Sequence, residues 1–245
     1  MAIGKTGSNI LTFLQRLYLI KSSIYIMYNE KMKIIRLDEV NSTHTYLKDY
    51  ILKNGYEESL CIFTDYQTNG IGSRGNSWSG KKGNLFFSFV IKKEFLSDDL
   101  PLQSISIYVS FILKIILKNL GSKVYLKWPN DFYVDDKKIG GTITTVSKDL
   151  IYCGIGLNLL AVDKAFGKLD IQIDINNVLK NYFILLEEKI SWKQIFSDFK
   201  IEFQHSKKFQ TTIDDQKVSL ENAILNEDGS IQVNNKKVFS LRWQK

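Results

Sequence analysis

The chain is poor in cysteine and proline and has no long hydrophobic run. Of its 245 residues, only Cys61 and Cys153 are cysteines. Two are too few for a disulfide framework, which predicts a reducing, cytoplasmic compartment. Two prolines and fifteen glycines exclude a collagen-like or proline-rich chain. No uninterrupted apolar run reaches the roughly 20 residues that cross a bilayer, so no membrane partner is expected.

The chain is moderately basic. Lysine and arginine total 33 against 26 acidic residues, a formal net charge of +7. A basic surface suits nucleic acid, a nucleotide or an acidic protein. The sequence contains no recognisable nucleic-acid-reading motif, and charge alone is weak evidence for that function. The 44% of hydrophobic residues is enough for a sizeable core, which excludes global disorder.

The chain divides into three segments that differ in hydrophobic pattern and predicted secondary structure. Residues 1–31 lack the continuous apolar core and cleavage site of a secretory signal. We interpret them as a leader, a fusion remnant or a misassigned start, with an amphipathic membrane-surface helix as the alternative. Residues 32–205 alternate predicted strands and helices and form the main domain. Residues 206–245 hold several short strands separated by turns, which predicts a small β-barrel.

The main domain is predicted to combine a central sheet with helices. A helix begins at Ser42 or Thr43, which are favourable N-cap residues. The segment Asn84–Lys92 is aromatic on both faces and predicts a central strand, whereas Ser104–Leu120 predicts a helix largely buried against the sheet. The remaining predicted strands and helices cover 33–37, 60–66, 124–127, 132–134, 142–146, 150–159, 176–189, 191–204, 209–213, 217–225, 230–233 and 237–241.

A glycine-rich loop runs from Gln67 to Gly83. Its glycines allow backbone N–H groups to approach an anion, Arg74 adds positive charge, and Trp78 offers a flat apolar face. The loop does not open a helix after a strand, as a dinucleotide fingerprint requires, and it does not match a nucleoside-triphosphate phosphate loop. A flexible hairpin loop is the alternative interpretation.

Two further segments carry polar residues in or beside predicted strands. Lys127 precedes a turn containing Pro129, where it can stabilise charge on a transferring phosphoryl or acyl group; a surface lysine is the alternative. Asp131 can help to hold a metal on phosphates or cap the turn. Asn158 is polar within an apolar strand, so it either holds a neighbouring loop or contacts a ligand.

Taken together, these segments resemble the biotin protein ligase family. The resemblance begins at DEVNSTHTYL and continues through the glycine loop, the Lys-Trp-Pro-Asn-Asp turn, a Lys-x-Gly-Gly-like stretch and Gly-x-Gly-x-Asn, in family order. It covers about Ile34 to the C-terminus. It implies an α+β fold: a mixed sheet with flanking helices, similar to the catalytic domain of class II aminoacyl-tRNA synthetases, followed by an SH3-like barrel.

The resemblance also implies an activity and site residues. Biotin and MgATP would give biotinyl-5′-AMP, and the biotin would pass to a lysine of a biotin carboxyl carrier protein domain of a biotin-dependent carboxylase. Lys127 and Arg74 would be catalytic, with Lys127 on the biotin carboxylate and the α-phosphate, and Asp131 would assist Mg²⁺. The implied biotin contacts are Ser42, Thr43, His44, Gln67, Gly70, Ile71, Gly72, Ser73 and Lys127. The implied nucleotide contacts are Arg74, Trp78, Asn130 and Asn158.

Two departures from the family pattern bear on the site. His44 stands where the family has asparagine, and a histidine at a helix start is more often a surface residue than a ligand contact. Ile71 and Ser73 replace two basic loop residues. We expect Arg74, or the neighbouring lysines, to supply the lost charge, with weaker retention of the adenylate.

Other interpretations stay open at this point. A lipoate ligase or octanoyltransferase shares the implied fold, but its Arg-Arg-x-Ser-Gly-Gly-Gly-like motif is absent. A degenerate module that binds biotin without catalysis is a second alternative. The segment before Lys33 is too short for the DNA-binding domain of many relatives, so a monofunctional enzyme without nucleic-acid partners is expected. A homodimer is compatible with the resemblance.

Overall fold

The computed structural model describes residues 25–29, 32–72, 77–78, 81–162, 164–214 and 216–239. Its centre is an eight-stranded mixed sheet in the order β1-β2-β3-β6-β10-β9-β8-β7, in which only β2 and β3 pair in parallel. The strands of this sheet are β1 Tyr25–Asn29, β2 Met32–Arg36, β3 Leu60–Thr64, β6 Leu85–Lys92, β7 Tyr125–Lys127, β8 Asp131–Val134, β9 Lys137–Ser147 and β10 Leu150–Leu157.

The first strand falls within the segment that the sequence analysis interpreted as a leader. Residues 25–29 pair with β2 in antiparallel register, and the two strands are separated by only two residues. Among the described strands β1 has one neighbour, so it is the edge of the sheet as described. The sheet therefore includes a five-residue strand on the N-terminal side of the boundary predicted at residue 32.

Helices cover the two faces of the sheet. Helix α1, Thr43–Asn54, packs on one face, and α2, Ile105–Asn119, α3, Ile175–Glu187, and α4, Trp192–Ser206, form the layer on the other. Strand β6 shows why both faces are apolar. Phe87 and Phe89 each lie 5.4 Å, centre to centre, from an aromatic ring of α3, whereas Val90 belongs to the cluster under α1. The prediction of a central strand here is confirmed.

Helix α2 is the core helix of the larger layer. The stretch Leu102–Asn119 is long and apolar enough to cross a membrane by composition, but 67% of it is buried inside the protein. A polar side chain of this helix is internal as well: Ser110 is fully buried and donates to Thr142 Oγ1 at 2.8 Å. These contacts tie the helix to β9, as expected of a helix that packs on a sheet.

The C-terminal strands form two small antiparallel sheets, consistent with the predicted SH3-like domain. They are β11 Gln210–Ile213, β12 Gln216–Ser219, β13 Ile224–Leu225, β14 Ile231–Val233 and β15 Lys236–Val238. The single strand predicted over 217–225 is wrong, because a turn from Leu220 to Ala223 buries both residues and divides it. Two indoles fasten this region to the main domain: Trp128 donates to the Gly229 carbonyl at 2.9 Å, and Trp192 donates to the Glu227 carbonyl at 2.8 Å.

Two short strands lie within the glycine-rich loop. They are β4 Gly70–Ile71 and β5 Ser77–Trp78, which pair with each other beside the main sheet. They bring part of the glycine-rich loop next to the N-terminal end of α1.

Candidate active site

A cleft opens on the α1 side of the sheet. Helix α1 has 12 residues and is therefore about 18 Å long, so it covers only part of an eight-stranded sheet. The cleft has a volume of about 360 Å³, which is in the range of small-molecule sites. The predicted site residues that line it are Ser42, Thr43, His44, Gln67, Ile71, Gly72, Trp78, Asn130 and Asp131.

One part of the cleft carries a buried chain of hydrogen bonds. Thr43 donates to Gln67 Oε1 from its backbone N–H at 2.7 Å and from its hydroxyl at 3.0 Å. The Thr43 hydroxyl also lies 2.8 Å from that of Ser88. Ser42 caps α1 by accepting from the Thr45 N–H at 3.4 Å, which confirms the N-cap prediction. The sequence analysis missed Ser88, although it is the one polar residue between Leu85 and Ile91.

His44 is a buried, neutral side chain in the same part of the cleft. Burial, and then the charge of Lys48, lower the pKa of His44 to about 4. Its Nδ1 has no hydrogen-bond partner among the described residues and lies 3.2 Å from the place where a Cβ on Gly154 would stand. With 7% of its surface exposed, His44 is not the surface residue that the sequence alternative suggested.

A lysine and a carboxylate form a second polar group. Lys138 lines the cleft, and its Nζ lies 2.6 Å from Asp131 Oδ1 and 5.6 Å from the centre of the Trp78 ring. Gly141 leaves the ammonium uncovered, since a Cβ there would stand 3.6 Å from Lys138 Nζ. An ammonium held in this way can neutralise a carboxylate or a phosphate.

Lys127, predicted to act on the reacting groups, lies beside the cleft lining rather than in it. This side chain is buried and is not among the described residues that line the cleft. Its Nζ lies 3.7 Å from Asp131 Oδ2 and 5.9 Å from the centre of the Phe209 ring. Burial lowers the pKa of Lys127, an effect that Asp131 opposes. Lys127 therefore lies behind Asp131, and Lys138 faces the cleft in its place.

A β-bulge explains why Lys138 points into the cleft. The pairing of β8 with β9 shifts register after Phe132, which leaves Ile139 as an extra residue. Simple alternation from Gly141 would place Ile139 on the cleft face and Lys138 in the core. The bulge reverses this, and Ile139 is fully buried. The Lys-x-Gly-Gly-like stretch was the signal in the sequence that could have identified Lys138.

Trp78 provides an aromatic wall. Its ring lies over Gly156, where a Cβ would stand 3.1 Å from the ring atoms Cε2 and Nε1. The ring centre is 6.4 Å from that of Phe166, another lining residue that the sequence analysis missed. Trp78 Nε1 is buried and has no acceptor in the part of the chain that the structure describes. A flat apolar face with a free N–H suits a heteroaromatic base.

The two asparagines predicted on the nucleotide side lie in different places. Asn130 lines the cleft and donates through Nδ2 to the Thr142 carbonyl. Asn158 is not among the described lining residues, and its Nδ2 donates to the Gly167 carbonyl at 3.2 Å. Of the two roles considered for Asn158, the structure favours holding the loop that carries Phe166 over contacting a ligand.

The glycine-rich loop is described only in part. Gly70 lies so close to β5 that a Cβ would stand 2.6 Å from a backbone carbonyl, so no other residue fits there. Ile71 and Gly72 line the cleft. The predictions made for Ser73 and Arg74 fall outside the described residues.

Metal ligands are sparse around the cleft. Within the described ranges, no group of three or more His, Cys, Asp or Glu side chains could hold a metal ion. Asp131, the predicted metal contact, already pairs with two lysines. The described residues around the cleft therefore offer Asp131 as a single carboxylate and no ligand cluster.

The fold and the cleft define a class of protein. A mixed sheet with helices on both faces holds a cleft with a hydrogen-bonding group, a lysine and an aromatic wall. A cleft of this size and lining suits a small organic ligand that carries a polar ring or an acidic group. The family model "Biotin/lipoate A/B protein ligase family" matches residues 37–158.

A solved structure extends this match over most of the chain. The biotin acetyl coenzyme A carboxylase synthetase from Helicobacter pylori, solved with bound biotinylated ATP, is 38% identical, with a TM-score of 0.80, over 84% of this chain and 98% of that chain. The chain therefore belongs to the biotin/lipoate A/B protein ligase family. The biotin protein ligase from Aquifex aeolicus, solved with biotin and ATP, shares the fold with a TM-score of 0.67 and 23% identity, over 86% of this chain and 99% of that chain.

Curated relatives match over shorter stretches. The bifunctional ligase/repressor BirA of Escherichia coli (strain K12) is 33% identical over 132 residues, which are 50% of this chain and 39% of BirA. Biotin–protein ligase 2 of Arabidopsis thaliana is 34% identical over 112 residues, 41% of this chain and 33% of the relative. The matches thus span well under half the length of these two relatives.

Proposed function

We propose that this chain is an ATP-dependent biotin protein ligase. It activates biotin as biotinyl-5′-AMP and transfers the biotinyl group to a lysine of a carrier domain. The observation that carries the proposal is the joint placement, in one cleft of about 360 Å³, of the Thr43–Gln67–Ser88 hydrogen bonds and the Lys138–Asp131 pair. Biotin is mostly apolar with one polar ring and one carboxylate. The hydrogen-bonding residues would bind the ring, and the lysine would bind the carboxylate.

The first step joins two anions. A carboxylate oxygen of biotin attacks the α-phosphorus of ATP, a P–O bond forms, and pyrophosphate leaves with the electrons of the bond that breaks. Lys138 lies where it can neutralise the biotin carboxylate and the α-phosphate, because it faces the cleft and Asp131 holds it at 2.6 Å. Holding the two reactants in one cleft removes most of the entropic cost of their encounter.

The second step is aminolysis. The neutral amine of the carrier lysine attacks the acyl carbon of the mixed anhydride, AMP leaves, and an amide forms with loss of one proton. The Trp78 and Phe166 rings would lie against the adenine and keep water from the anhydride. Asn158 contributes by holding the segment that carries Phe166.

Mg²⁺ and the carrier complete the proposal. Mg²⁺ would reach the site on the ATP phosphates, where its charge would assist departure of pyrophosphate, and Asp131, which lines the cleft, is the carboxylate that would help to hold it. The carrier would be a biotin carboxyl carrier domain, and an acidic surface on it would complement the net charge of +7. We propose a cytoplasmic location, in keeping with the free, buried Cys61 and Cys153. We also propose no nucleic-acid or membrane partner; homodimer formation stays a prediction.

The decisive experiment is ATP–pyrophosphate exchange with a panel of acids. Exchange that depends on biotin, and is absent with lipoate or octanoate, is the expected result. Exchange with lipoate or octanoate alone would contradict the proposal and indicate a lipoate ligase or octanoyltransferase instead. Biotin binding by calorimetry without any exchange would instead identify a binding module.

A further inference from the structure

In the hydrogen bonds that join Thr43, Gln67 and Ser88 at the floor of the cleft, the donor of each bond can be assigned. Of the two terminal atoms of a glutamine amide, only the oxygen accepts a hydrogen bond, so the 2.7 Å contact from Thr43 N identifies Oε1 of Gln67 and fixes the amide orientation. Gln67 Nε2 therefore points the other way, towards Gly70, where a Cβ would stand 2.7 Å from it. Gln67 lines the cleft, so this amide nitrogen can donate to a ligand there.

The same assignment extends to Ser88. Two oxygens 3.0 Å apart need a proton between them, and the amide oxygen of Gln67 has none, so the Thr43 hydroxyl proton is committed to Gln67. In the 2.8 Å contact between the hydroxyls of Thr43 and Ser88, the proton must then come from Ser88. With its one proton used, Ser88 offers only lone pairs to anything else that it meets.

The lone pairs of Ser88 are placed to meet a ligand. Ser88 is 1% exposed and lines the cleft. Its Oγ lies 3.1 Å from the place where a Cβ on Gly154 would stand, so the glycine keeps this oxygen uncovered. The floor of the cleft thus presents an acceptor at Ser88 and a donor at Gln67 Nε2.

We propose that Ser88 is a further specificity-determining residue, which accepts a hydrogen bond from a ring N–H of the substrate head group beside the contact that the family resemblance already implies for Gln67. This inference rests on the proposed biotin activity and goes beyond it in naming the residue and its polarity. A cyclic urea has a ring N–H for Ser88 and an acceptor for Gln67. A dithiolane ring has no N–H, so it would leave Ser88 and Gln67 unpaired, which such sites reject strongly.

The test removes the Ser88 hydroxyl from the protein and, separately, one ureido N–H from the ligand, and compares the effects. Ser88→Ala is combined with biotin and with the two analogues that carry a methyl group on one or the other ureido nitrogen. Biotin-dependent ATP–pyrophosphate exchange supplies kcat/KM for each pair. Ser88→Ala is expected to lower kcat/KM for biotin about tenfold or more. The analogue whose methyl replaces the N–H that Ser88 reads should show no further loss in the variant.

Two other variants separate recognition from packing. Ser88→Cys keeps the size of the side chain but is a weak acceptor, and it should show the same selective loss. Ser106→Ala is the matched control, because Ser106 is also a buried serine but lies on α2 outside the cleft; it should leave all ratios unchanged. Melting temperatures establish that each variant is folded.

Each outcome has a distinct meaning. A loss in Ser88→Ala that is equal for biotin and both methylated analogues, or no loss at all, would overturn the role of Ser88 while leaving the biotin ligase proposal intact. A folded wild-type protein that shows no biotin-dependent exchange would overturn the proposed function itself.

Discussion

Replacing Lys138 and Lys127 one at a time tests which lysine acts on the reacting groups. Lys138 faces the cleft beside Asp131, whereas Lys127 lies behind the same carboxylate. Lys138→Ala removes the only one of these two ammonium groups that a ligand can touch. Loss of one preorganised group that stabilises developing charge costs about 3–4 kcal/mol, or roughly 10²–10³ in rate.

The effect on stability should be small in Lys138→Ala. Lys138 and Asp131 are partly exposed, with side-chain exposures of 28% and 22%, and exposed pairs contribute about 0–1 kcal/mol. Asp131 also keeps Lys127 at 3.7 Å. The variant should therefore melt within a few degrees of the wild type. Lys127→Ala leaves the Lys138–Asp131 pair in place, and we expect it to lower the rate by less than about tenfold.

The assay is biotin-dependent ATP–pyrophosphate exchange, with thermal melts of both variants by circular dichroism. A rate loss in Lys127→Ala that equals or exceeds that of Lys138→Ala, in a protein that melts normally, would refute the assignment. It would return the catalytic role to the lysine that the sequence pattern first indicated.

Three further predictions concern the aromatic wall, the buried histidine and the core. Gly156→Ala places a methyl group 3.1 Å from the Trp78 ring, so KM for ATP should rise several-fold in initial-rate measurements; an unchanged KM would remove Trp78 from the nucleotide site. The pKa of His44 is lowered to about 4 from about 6.5 in the unfolded chain. The unfolded chain therefore binds a proton at His44 more readily than the folded protein does, so the free energy of unfolding is highest above pH 6.5 and falls as the pH drops towards 4. In urea titrations, wild type should therefore lose about 2 kcal/mol more than His44→Asn between pH 7.5 and 5, and parallel profiles would contradict a buried neutral imidazole. Tyr182 donates to the Val109 carbonyl at 3.1 Å; Tyr182→Phe should lower the free energy of unfolding by about 1 kcal/mol without changing exchange kinetics, and a large loss of activity would mean that the α2–α3 layer shapes the cleft.

Much of the fold follows from local patterns in the sequence. The aromatic strand β6, the helix capped at Ser42 and the apolar helix α2 are each specified by residues that are neighbours in the chain. Strand β1 was missed because five residues are too few for an alternating pattern to identify a strand. The predicted strand 217–225 was wrong because burial of Leu220 and Ala223 in a turn depends on packing against other elements.

The candidate site was predictable as a set of residues but not as a geometry. The resemblance indicated Thr43, Gln67 and Trp78, and the structure places all three on the cleft. It could not separate Lys127 from Lys138, because the bulge at Ile139 decides which lysine faces the cleft. Ser88 was missed because one serine in an apolar strand gains meaning only through its contact with Thr43.

The most direct test of the central claim is transfer to a carrier. The chain is incubated with MgATP, biotin and an apo biotin carboxyl carrier domain, and the carrier is analysed by intact mass and peptide mapping. We predict that one biotinyl group appears on one carrier lysine, that it requires ATP, and that Lys138→Ala lowers its rate at least 100-fold. An unmodified carrier in the presence of folded enzyme, or modification that proceeds without ATP, would contradict the account.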